Sequence, residues 1–352
     1  MEKSGTRKYE GLQALRFLAA FFVLIIHSTF YASERLDKNF VVWNRGATGV
    51  DIFFVLSGFV MIYSSVRLMK SRDGWRVFSE RRIARIVPMY WLATTLKLIT
   101  MLLTAGFVLH AHFSWITVVC SYLFLPTRNI DGVLAPLLGV GWTLIFEMFF
   151  YFLFALALFL RVDVYKLVGI VLSLLAIGAY FRQPDWPPVS FYLNTISLEF
   201  FLGMIIGHLC LKNWHLPRWI ALVFIPLGFF LLLYPWPDVN APRILLTGVP
   251  AALIVWATAA LEDSLGWIPR WVIYLGDASY VIYLFHPMIA PAAPVILSHM
   301  HIYNSWLSVA LSILLVLGVT SLIHQFIEVP VTNFLRNYLR VRHQKVINPA
   351  TC

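Results

Sequence analysis

Charged side chains are scarce in this sequence. Lys, Arg, Asp and Glu make up 12% of its 352 residues, whereas hydrophobic residues make up 60%. A soluble domain carries about 25% charged residues, so the chain has about half the charge that a water-exposed surface needs. Together with a mean hydropathy of +0.78, this excludes a water-soluble fold, and lipid must be the solvent for most of the chain.

Cysteine is also sparse. The three cysteines, Cys120, Cys210 and Cys352, are scattered along the chain. Their odd number and wide spacing exclude a disulfide framework and match no metal-ligand pattern. We therefore expect no metal site.

Long apolar runs are abundant instead. Ten of them approach the ~20 residues that a helix needs to cross a bilayer core. The sequence thus predicts an all-α, polytopic membrane protein with about ten transmembrane helices, at residues 12–31, 48–69, 87–109, 139–160, 164–180, 190–210, 218–235, 243–261, 275–298 and 304–327. We interpret residues 1–352 as a single integral-membrane domain with a basic cytoplasmic loop at 70–86 and a cytoplasmic tail at 336–352. A shorter apolar stretch, 115–126, is interpreted as a re-entrant or interfacial piece.

The formal charge of +10 follows from topology. If the N-terminus is cytoplasmic, most of the 27 Lys and Arg residues fall on the cytoplasmic side of the ten predicted spans. This distribution satisfies the positive-inside rule and predicts that both termini are cytoplasmic. Nucleic acid is therefore not expected as a partner.

Two ionisable residues lie in the first predicted span. Arg16 and His27 are eleven positions apart, which places them on one face of a helix, about 16 Å apart along its axis. They can also be explained as end residues whose polar groups reach the membrane interfaces. Asp51 enters the second span at a depth similar to that of His27. A carboxylate beside an imidazole fixes its tautomer, as a general base requires.

The same region offers features that suit a thin, phosphorylated ligand. Ser57 and Gly58 form a small polar notch, which plain helix packing also explains. Arg82 and Arg85 are three positions apart and share a helix face. Arginine binds phosphate with a planar fork, although basic residues at this position also set topology.

Glu147 and His286 lie deep inside the fourth and ninth predicted spans. Ionisable groups are costly there and mark functional sites by default. Buried carboxylates and histidines also serve proton relays, so a proton-coupled secondary transporter of an anionic or sugar-like substrate remains an alternative to an enzyme. A non-catalytic subunit of a polysaccharide-assembly complex is a third possibility.

Five motifs in order carry a resemblance that covers nearly the whole chain. They are the Arg16–His27 spacing, GVDIFFVLSGF at 49–59, RRIARIVPMYW at 81–91, WTLIFE at 142–147 and SYVIYLFHP at 279–287. This set resembles the acyltransferase-3 family of membrane O-acyltransferases, and the opening GLQALR at 11–16 is most similar to its exopolysaccharide-acetylating branch, which decorates succinoglycan. The chain departs from the family pattern at Thr143, where serine is usual, and at Met148, where a second acid is usual.

The resemblance implies a ten-span fold in a bacterial inner membrane and an acetyl-coenzyme A donor. It implies an exopolysaccharide or its lipid-linked precursor as acceptor, with other exopolysaccharide-assembly proteins as further partners. We expect His27, Asp51 and Glu147 to be catalytic, with His27 oriented by Asp51 or Glu147. His27 then deprotonates a sugar hydroxyl, or accepts the acyl group itself. The expected donor-binding residues are Arg16, Ser57, Gly58, Arg82 and Arg85, supported by Ser279, Tyr283 and His286.

Overall fold

The computed structural model describes residues 9–103, 114–214, 216–236 and 242–347. Regular structure in these ranges is helical, apart from one isolated β-bridge between Arg128 and Leu134. The all-α fold class is therefore confirmed. The ranges outside the description are 1–8, 104–113, 215, 237–241 and 348–352. The end of the third predicted span and the last five residues of the predicted tail are among these undescribed residues.

Fourteen α-helices follow one another along the described ranges. They are α1 (Glu10–Arg35), α2 (Gly49–Met69), α3 (Gly74–Leu103), α4 (Trp115–Tyr122), α5 (Trp142–Leu160), α6 (Val164–Gly178), α7 (Ser197–Leu211), α8 (Arg218–Leu233), α9 (Val249–Ala260), α10 (Arg270–Asp277), α11 (Ser279–Ile289), α12 (Ala292–His299), α13 (Ser305–Ile323) and α14 (Val329–Ile347). Short 3₁₀ turns precede α2 and α5, and π-helical turns at Ile244–Gly248 and His324–Glu328 lead into α9 and α14.

The lengths of these helices support a multi-pass membrane protein. Six continuous helical segments of the described chain are long and apolar enough to cross a bilayer: Glu10–Arg35, Asn44–Met69, Gly74–Leu103, Gly139–Leu160, Ser279–His299 and Ser305–Leu339. Four shorter apolar helices, Val164–Gly178, Ser197–Leu211, Arg218–Leu233 and Ile244–Ala260, occupy the other predicted spans. Six predicted spans thus have helices of spanning length, while the total of ten and the cytoplasmic termini remain predictions.

Two segments differ from the sequence-based expectation. Residues 70–86 are not a loop throughout, because α3 begins at Gly74 and carries Arg82 and Arg85 within its first turns. The segment is basic but has helical periodicity, and no proline or glycine interrupts it between Arg76 and Val87. The first part of the predicted tail is likewise helical, since α14 continues to Ile347.

Local signals account for several helix ends. The side chains of Ser114, Asp163 and Asn304 accept hydrogen bonds from backbone N–H groups in the first turns of α4, α6 and α13, which satisfies donors that a helix start leaves free. Helix α5 ends at Leu160, and its C-cap residue Arg161 adopts the left-handed conformation with a φ of 55°, which is a common way to end a helix. These caps set where the apolar segments begin and end.

Close packing of α2 against α7 forms the centre of the bundle. A Cβ at Gly58 would overlap the backbone carbonyl of Phe200, and one at Gly203 would overlap that of Val55. Glycine is therefore required at both crossing points, as in other membrane helix pairs with small residues at the contact. Helix α1 packs against α2, α10, α11 and α13, which brings Arg16 and His27 into the interior.

Candidate active site

A cavity with an empty volume of about 770 Å³, counted to its open mouth, lies between α1, α2, α3, α5 and α11. We call it the central cavity. Seven of the eleven candidate residues line it: Arg16, Ser57, Arg82, Arg85, Glu147, Ser279 and Tyr283. Its other lining residues are mainly apolar or aromatic, including Phe53, Phe54, Tyr151 and Tyr280. Five helices distant in sequence thus bring most of the predicted site together.

Arginines cluster at one end of the central cavity. Arg82 donates a hydrogen bond from Nη2 to Ser64 Oγ at 2.8 Å, and its guanidinium lies 5.5 Å from the ring centre of Phe78 and 5.7 Å from that of Tyr151. Its Nε is buried without a hydrogen-bond partner. These contacts hold the guanidinium in place.

A second, larger space adjoins the arginine end of the central cavity. This arginine groove lies between α2, α3 and α14, and its empty volume is about 1970 Å³ when the open solvent at its mouth is included. Arg81 and Arg336 line it together with Arg82 and Arg85, and the latter two residues line the central cavity as well. The two spaces therefore meet at a shared pair of guanidiniums, and a long anionic ligand can occupy both.

Glu147 lines the central cavity. Its Oε1 accepts a hydrogen bond from Ser57 Oγ at 2.9 Å and a second one from the hydroxyl of Tyr151. Among the described residues, Glu147 has no ion-pair partner within 4 Å. Two hydroxyl donors thus hold this carboxyl group at the cavity wall.

Tyr283 lines the central cavity next to Thr143. Its hydroxyl lies 2.9 Å from Thr143 Oγ1 and donates to the carbonyl of Val140 at 3.1 Å. Thr143, which departs from the family pattern, therefore keeps the hydroxyl that this contact uses.

His27 and His286 lie beyond Tyr283 and do not line the cavity. Their ring centres are 4.7 Å apart at an interplanar angle of 63°, and the ring of Tyr283 is 6.0 Å from that of His286. His27 Nδ1 lies 2.9 Å from the carbonyl of Val23, and His286 Nδ1 lies 3.1 Å from that of Ile282. A carbonyl can only accept, so each Nδ1 carries the hydrogen and each neutral ring keeps a lone pair on Nε2. We call these two residues the imidazole pair.

The structure separates Asp51 from His27. Asp51 is buried and accepts hydrogen bonds at 2.6 Å from both Arg243 Nη2 and Thr247 Oγ1. Arg243 Nε is also 3.8 Å from Glu199. The expectation that Asp51 or Glu147 orients His27 is therefore wrong. Asp51 is bound by Arg243 and Thr247, and Glu147 is bound by Ser57 and Tyr151. His27 is oriented by a carbonyl of its own helix.

Gly58 also departs from its expected place. It packs against α7 and does not line the central cavity, whereas Ser57 does. Consecutive residues of a helix point about 100° apart, so the two halves of the Ser57-Gly58 notch face different neighbours.

Several residues of the site escaped the sequence reasoning. Tyr151 and Tyr280 line the cavity, and Tyr280 donates to the carbonyl of Ile86 at 2.7 Å. Tyr280 lies within the motif at 279–287 and Tyr151 lies four residues after the motif at 142–147, but aromatic residues are too common in this chain to signal a site. Arg336 follows the last predicted span and gave no signal beyond its charge. No group of three potential metal ligands occurs among the described residues.

Comparison with known proteins identifies the family. A family model described as an acyltransferase domain, that of acyltransferase-3, matches residues 9–325. The chain belongs to the acyltransferase-3 family. It is thus a multi-pass membrane acyltransferase, and the resemblance inferred from the five motifs is confirmed.

Three curated relatives illustrate the range of the family. The exopolysaccharide production protein ExoZ of Rhizobium meliloti (strain 1021) is 36% identical over 271 residues, which cover 73% of this chain and 80% of ExoZ. The acyltransferase MdmB of Streptomyces mycarofaciens is 26% identical, with 79% of this chain and 77% of MdmB covered. YrhL of Bacillus subtilis (strain 168), whose name assigns it provisionally to peptidoglycan O-acetylation, is 26% identical, with 95% of this chain and 56% of YrhL covered. No solved structure matches this chain.

Proposed function

We propose that this protein transfers an acetyl group from acetyl-coenzyme A to a hydroxyl of an exopolysaccharide or of its lipid-linked precursor, in a bacterial inner membrane. The observation that carries the proposal is the succession of three features: the arginine groove, the central cavity that shares Arg82 and Arg85 with it, and the imidazole pair next to Tyr283 of the cavity. Similarity to ExoZ supports a polysaccharide acceptor.

The donor occupies the groove and the cavity. Coenzyme A is a phosphorylated nucleotide joined to a thin, flexible arm that ends in a thiol. The arginine groove, with Arg81 and Arg336 beside the shared Arg82 and Arg85, suits the phosphates. The central cavity is largely apolar and aromatic beyond its arginines and suits the arm. Arg16 lies on the cavity wall, on the helix that leads to His27.

The chemistry takes place at His27. His27 Nε2 has a free lone pair and accepts the proton of the attacking sugar hydroxyl. The hydroxyl oxygen bonds to the thioester carbonyl carbon, the carbon–sulfur bond breaks, and the proton passes from His27 to the departing sulfur. Ser57, Glu147 and Tyr283 line the route of the acyl group toward the imidazole pair, and Tyr283 must turn aside for the thioester to reach it.

Positive-inside topology gives this route a direction. If the termini are cytoplasmic, the arginine groove opens to the cytoplasm, where coenzyme A is found, and the imidazole pair lies toward the outer face. The donor and the glycan then approach from opposite sides, and the enzyme moves an acyl group across much of the bilayer without moving the whole donor.

Coenzyme A binding to the purified protein in nanodiscs tests the donor half of the proposal. Arg85→Ala and Arg336→Ala each remove a charged hydrogen-bond donor to phosphate, worth about 1.5 kcal/mol or more, so each variant should bind about tenfold more weakly. Arg218→Ala is the control, because Arg218 is an exposed arginine at the start of α8 and lies outside the groove. Calorimetry that detects no coenzyme A binding to the wild type, or equal losses in all three variants, contradicts the proposal.

A further inference from the structure

A third space in the structure has no part in the donor route. It is an open pocket between the residues that follow α6, those that precede α7 and Arg243, and its empty volume is about 1040 Å³ when the open solvent at its mouth is included. We call it the polar pocket. Its polar lining residues are Tyr180, Arg182, Gln183, Asn194, Thr195 and Arg243.

Most of these side chains have hydrogen-bonding groups that the protein does not use. Within the part of the chain that the structure describes, the side chains of Arg182, Gln183 and Thr195 make no hydrogen bond and no ion pair. Asn194 uses its Oδ1 to accept from the backbone N–H of Ile196 at 3.0 Å, so both hydrogens of its amide nitrogen stay available. The polar pocket thus offers a guanidinium, two amides and a hydroxyl to a ligand.

The walls of the polar pocket are fixed by contacts outside it. Arg128 donates from Nη2 to the carbonyls of Pro184 and Trp186, the second at 3.0 Å, and so holds the loop that follows Arg182. The backbone carbonyl of Asn194 accepts a hydrogen bond at 2.8 Å from the side chain of the first residue of α7. A site that is already ordered loses little conformational freedom when a ligand binds.

The polar pocket lies at the same end of the helix bundle as His27. Arg243 lines the pocket and donates to Asp51, in the first turn of α2. Gly46, just before α2, packs against the backbone of α1 little more than one turn before His27. The arginine groove lies at the other end, since its lining includes positions 64–68, in the last turns of α2. A ligand of the polar pocket therefore approaches His27 from the end opposite to the donor.

We propose that the polar pocket binds an acidic group of the acceptor glycan, while a neighbouring sugar presents its hydroxyl to His27. The inference rests on the proposed function and names the chemical class of its acceptor. Arg182 sets the charge of the ligand, because it has no ion-pair partner within the described ranges and a guanidinium binds carboxylate or phosphate through paired hydrogen bonds. The anion is the carboxylate of an acidic sugar or the pyrophosphate of a lipid-linked precursor.

The other lining residues suit the sugars themselves. The side chain of Tyr180 is 69% exposed, and an exposed aromatic ring offers a rigid apolar face against which a sugar ring packs. The amides of Gln183 and Asn194 match the hydroxyls of sugars, which both donate and accept hydrogen bonds. The polar pocket thus combines an aromatic surface, hydrogen-bonding groups and a positive charge, as recognition of an acidic glycan requires.

Binding to the purified protein in nanodiscs tests the inference. The probes are a hexamer of glucuronic acid, the neutral glucose hexamer of the same linkage, and inorganic pyrophosphate. Whichever anionic probe binds identifies the source of the anion. Arg182→Ala should weaken the binding of that probe about tenfold, because a charged hydrogen-bond donor is lost. Lys38→Ala is the control, since Lys38 is exposed in the loop after α1 and lies outside the pocket.

Two further variants keep the fold and change the pocket. Asn194→Asp retains the acceptor for the N–H of Ile196 but adds a negative charge, so it should weaken the anionic probe at least as much as Arg182→Ala and the neutral hexamer far less. Tyr180→Ala should weaken either hexamer about threefold or more. Phe181→Ala should not, because Phe181 is equally exposed, at 69%, but does not line the pocket. Coenzyme A binding reports folding, since the arginine groove lies at the other end.

The outcomes separate the inference from the proposed function. The inference is overturned if neither anionic probe binds, or if Lys38→Ala weakens binding as much as Arg182→Ala does. When the wild type binds coenzyme A as proposed, that result leaves the proposed function standing. A wild type that binds no coenzyme A refutes the proposed function, and the acceptor role of the polar pocket with it.

Discussion

At the scale of single residues, three histidines share one arrangement. His27, His286 and His299 each direct Nδ1 at the carbonyl four positions earlier in the same helix, at 2.8 to 3.1 Å. A helix thus fixes the tautomer of an imidazole without a carboxylate. What distinguishes His27 is its neighbour, since it is in edge contact with a buried second imidazole.

Asp51 belongs to a different group of residues. Its carboxylate ties the start of α2 to Arg243 and Thr247, at the π-helical turn before α9. We therefore propose that Asp51 stabilises the fold. Breaking a buried ion pair by removing one charge costs up to 3–5 kcal/mol, and the half-exposed side chain of Arg243 reduces this to about 1–3 kcal/mol.

Asp51→Asn tests this assignment. The amide keeps the size of the side chain but cannot neutralise the guanidinium, so the midpoint of thermal unfolding in detergent should fall by a few degrees. Turnover by the remaining folded protein should stay close to that of the wild type. Asp185→Asn, at an exposed loop carboxylate, should change neither quantity. Unchanged stability with abolished turnover would instead make Asp51 a catalytic residue.

At the scale of helices, three faces of α2 have three different surroundings. Asp51 faces the segment that leads into α9, Ser57 faces the central cavity, and Gly58 faces α7. The helical period explains how adjacent residues take such different parts. The apolar sequence around these residues does not indicate which face of α2 contacts which helix. The sequence alone therefore predicts a single notch at Ser57-Gly58.

Gly58→Ala tests the crossing of α2 and α7. The added methyl group would collide with the carbonyl of Phe200, so the helices must separate and the protein should lose about 1–3 kcal/mol of stability. Gly318→Ala in α13 is the matched control, because a Cβ there meets no atom within 4 Å and should cost nothing. Thermal unfolding of the two variants side by side checks this. A Gly58→Ala variant as stable as Gly318→Ala would show that the helices do not cross this closely.

At the scale of the whole molecule, the sequence predicts helices well and their partners poorly. Long apolar runs identify six spans directly, and ionisable residues inside such runs, Arg16, His27, Glu147 and His286, point to the interior of the bundle. Contacts between distant segments carry no such signal. Arg243 and Asp51 pair across 192 positions, and Arg336 of α14 reaches the groove formed by α2 and α3.

The two ends of the site differ in chemistry. The arginine groove lies at one end and the imidazole pair at the other, and Arg16 and His27 are about 16 Å apart along α1. In the function that we propose, the donor enters at one end, the acceptor enters at the other, and the two meet at His27. This arrangement is the central claim of the account.

Acetyl transfer across a membrane tests that claim most directly. The protein is reconstituted in sealed vesicles with radiolabelled acetyl-coenzyme A on the groove side and a glycan acceptor on the opposite side, and label on the glycan is measured. The account predicts transfer by the wild type and by His299→Ala, and a loss of at least a hundredfold in His27→Ala. Transfer by His27→Ala at the wild-type rate, or label on the glycan only when donor and acceptor share one side, would contradict it.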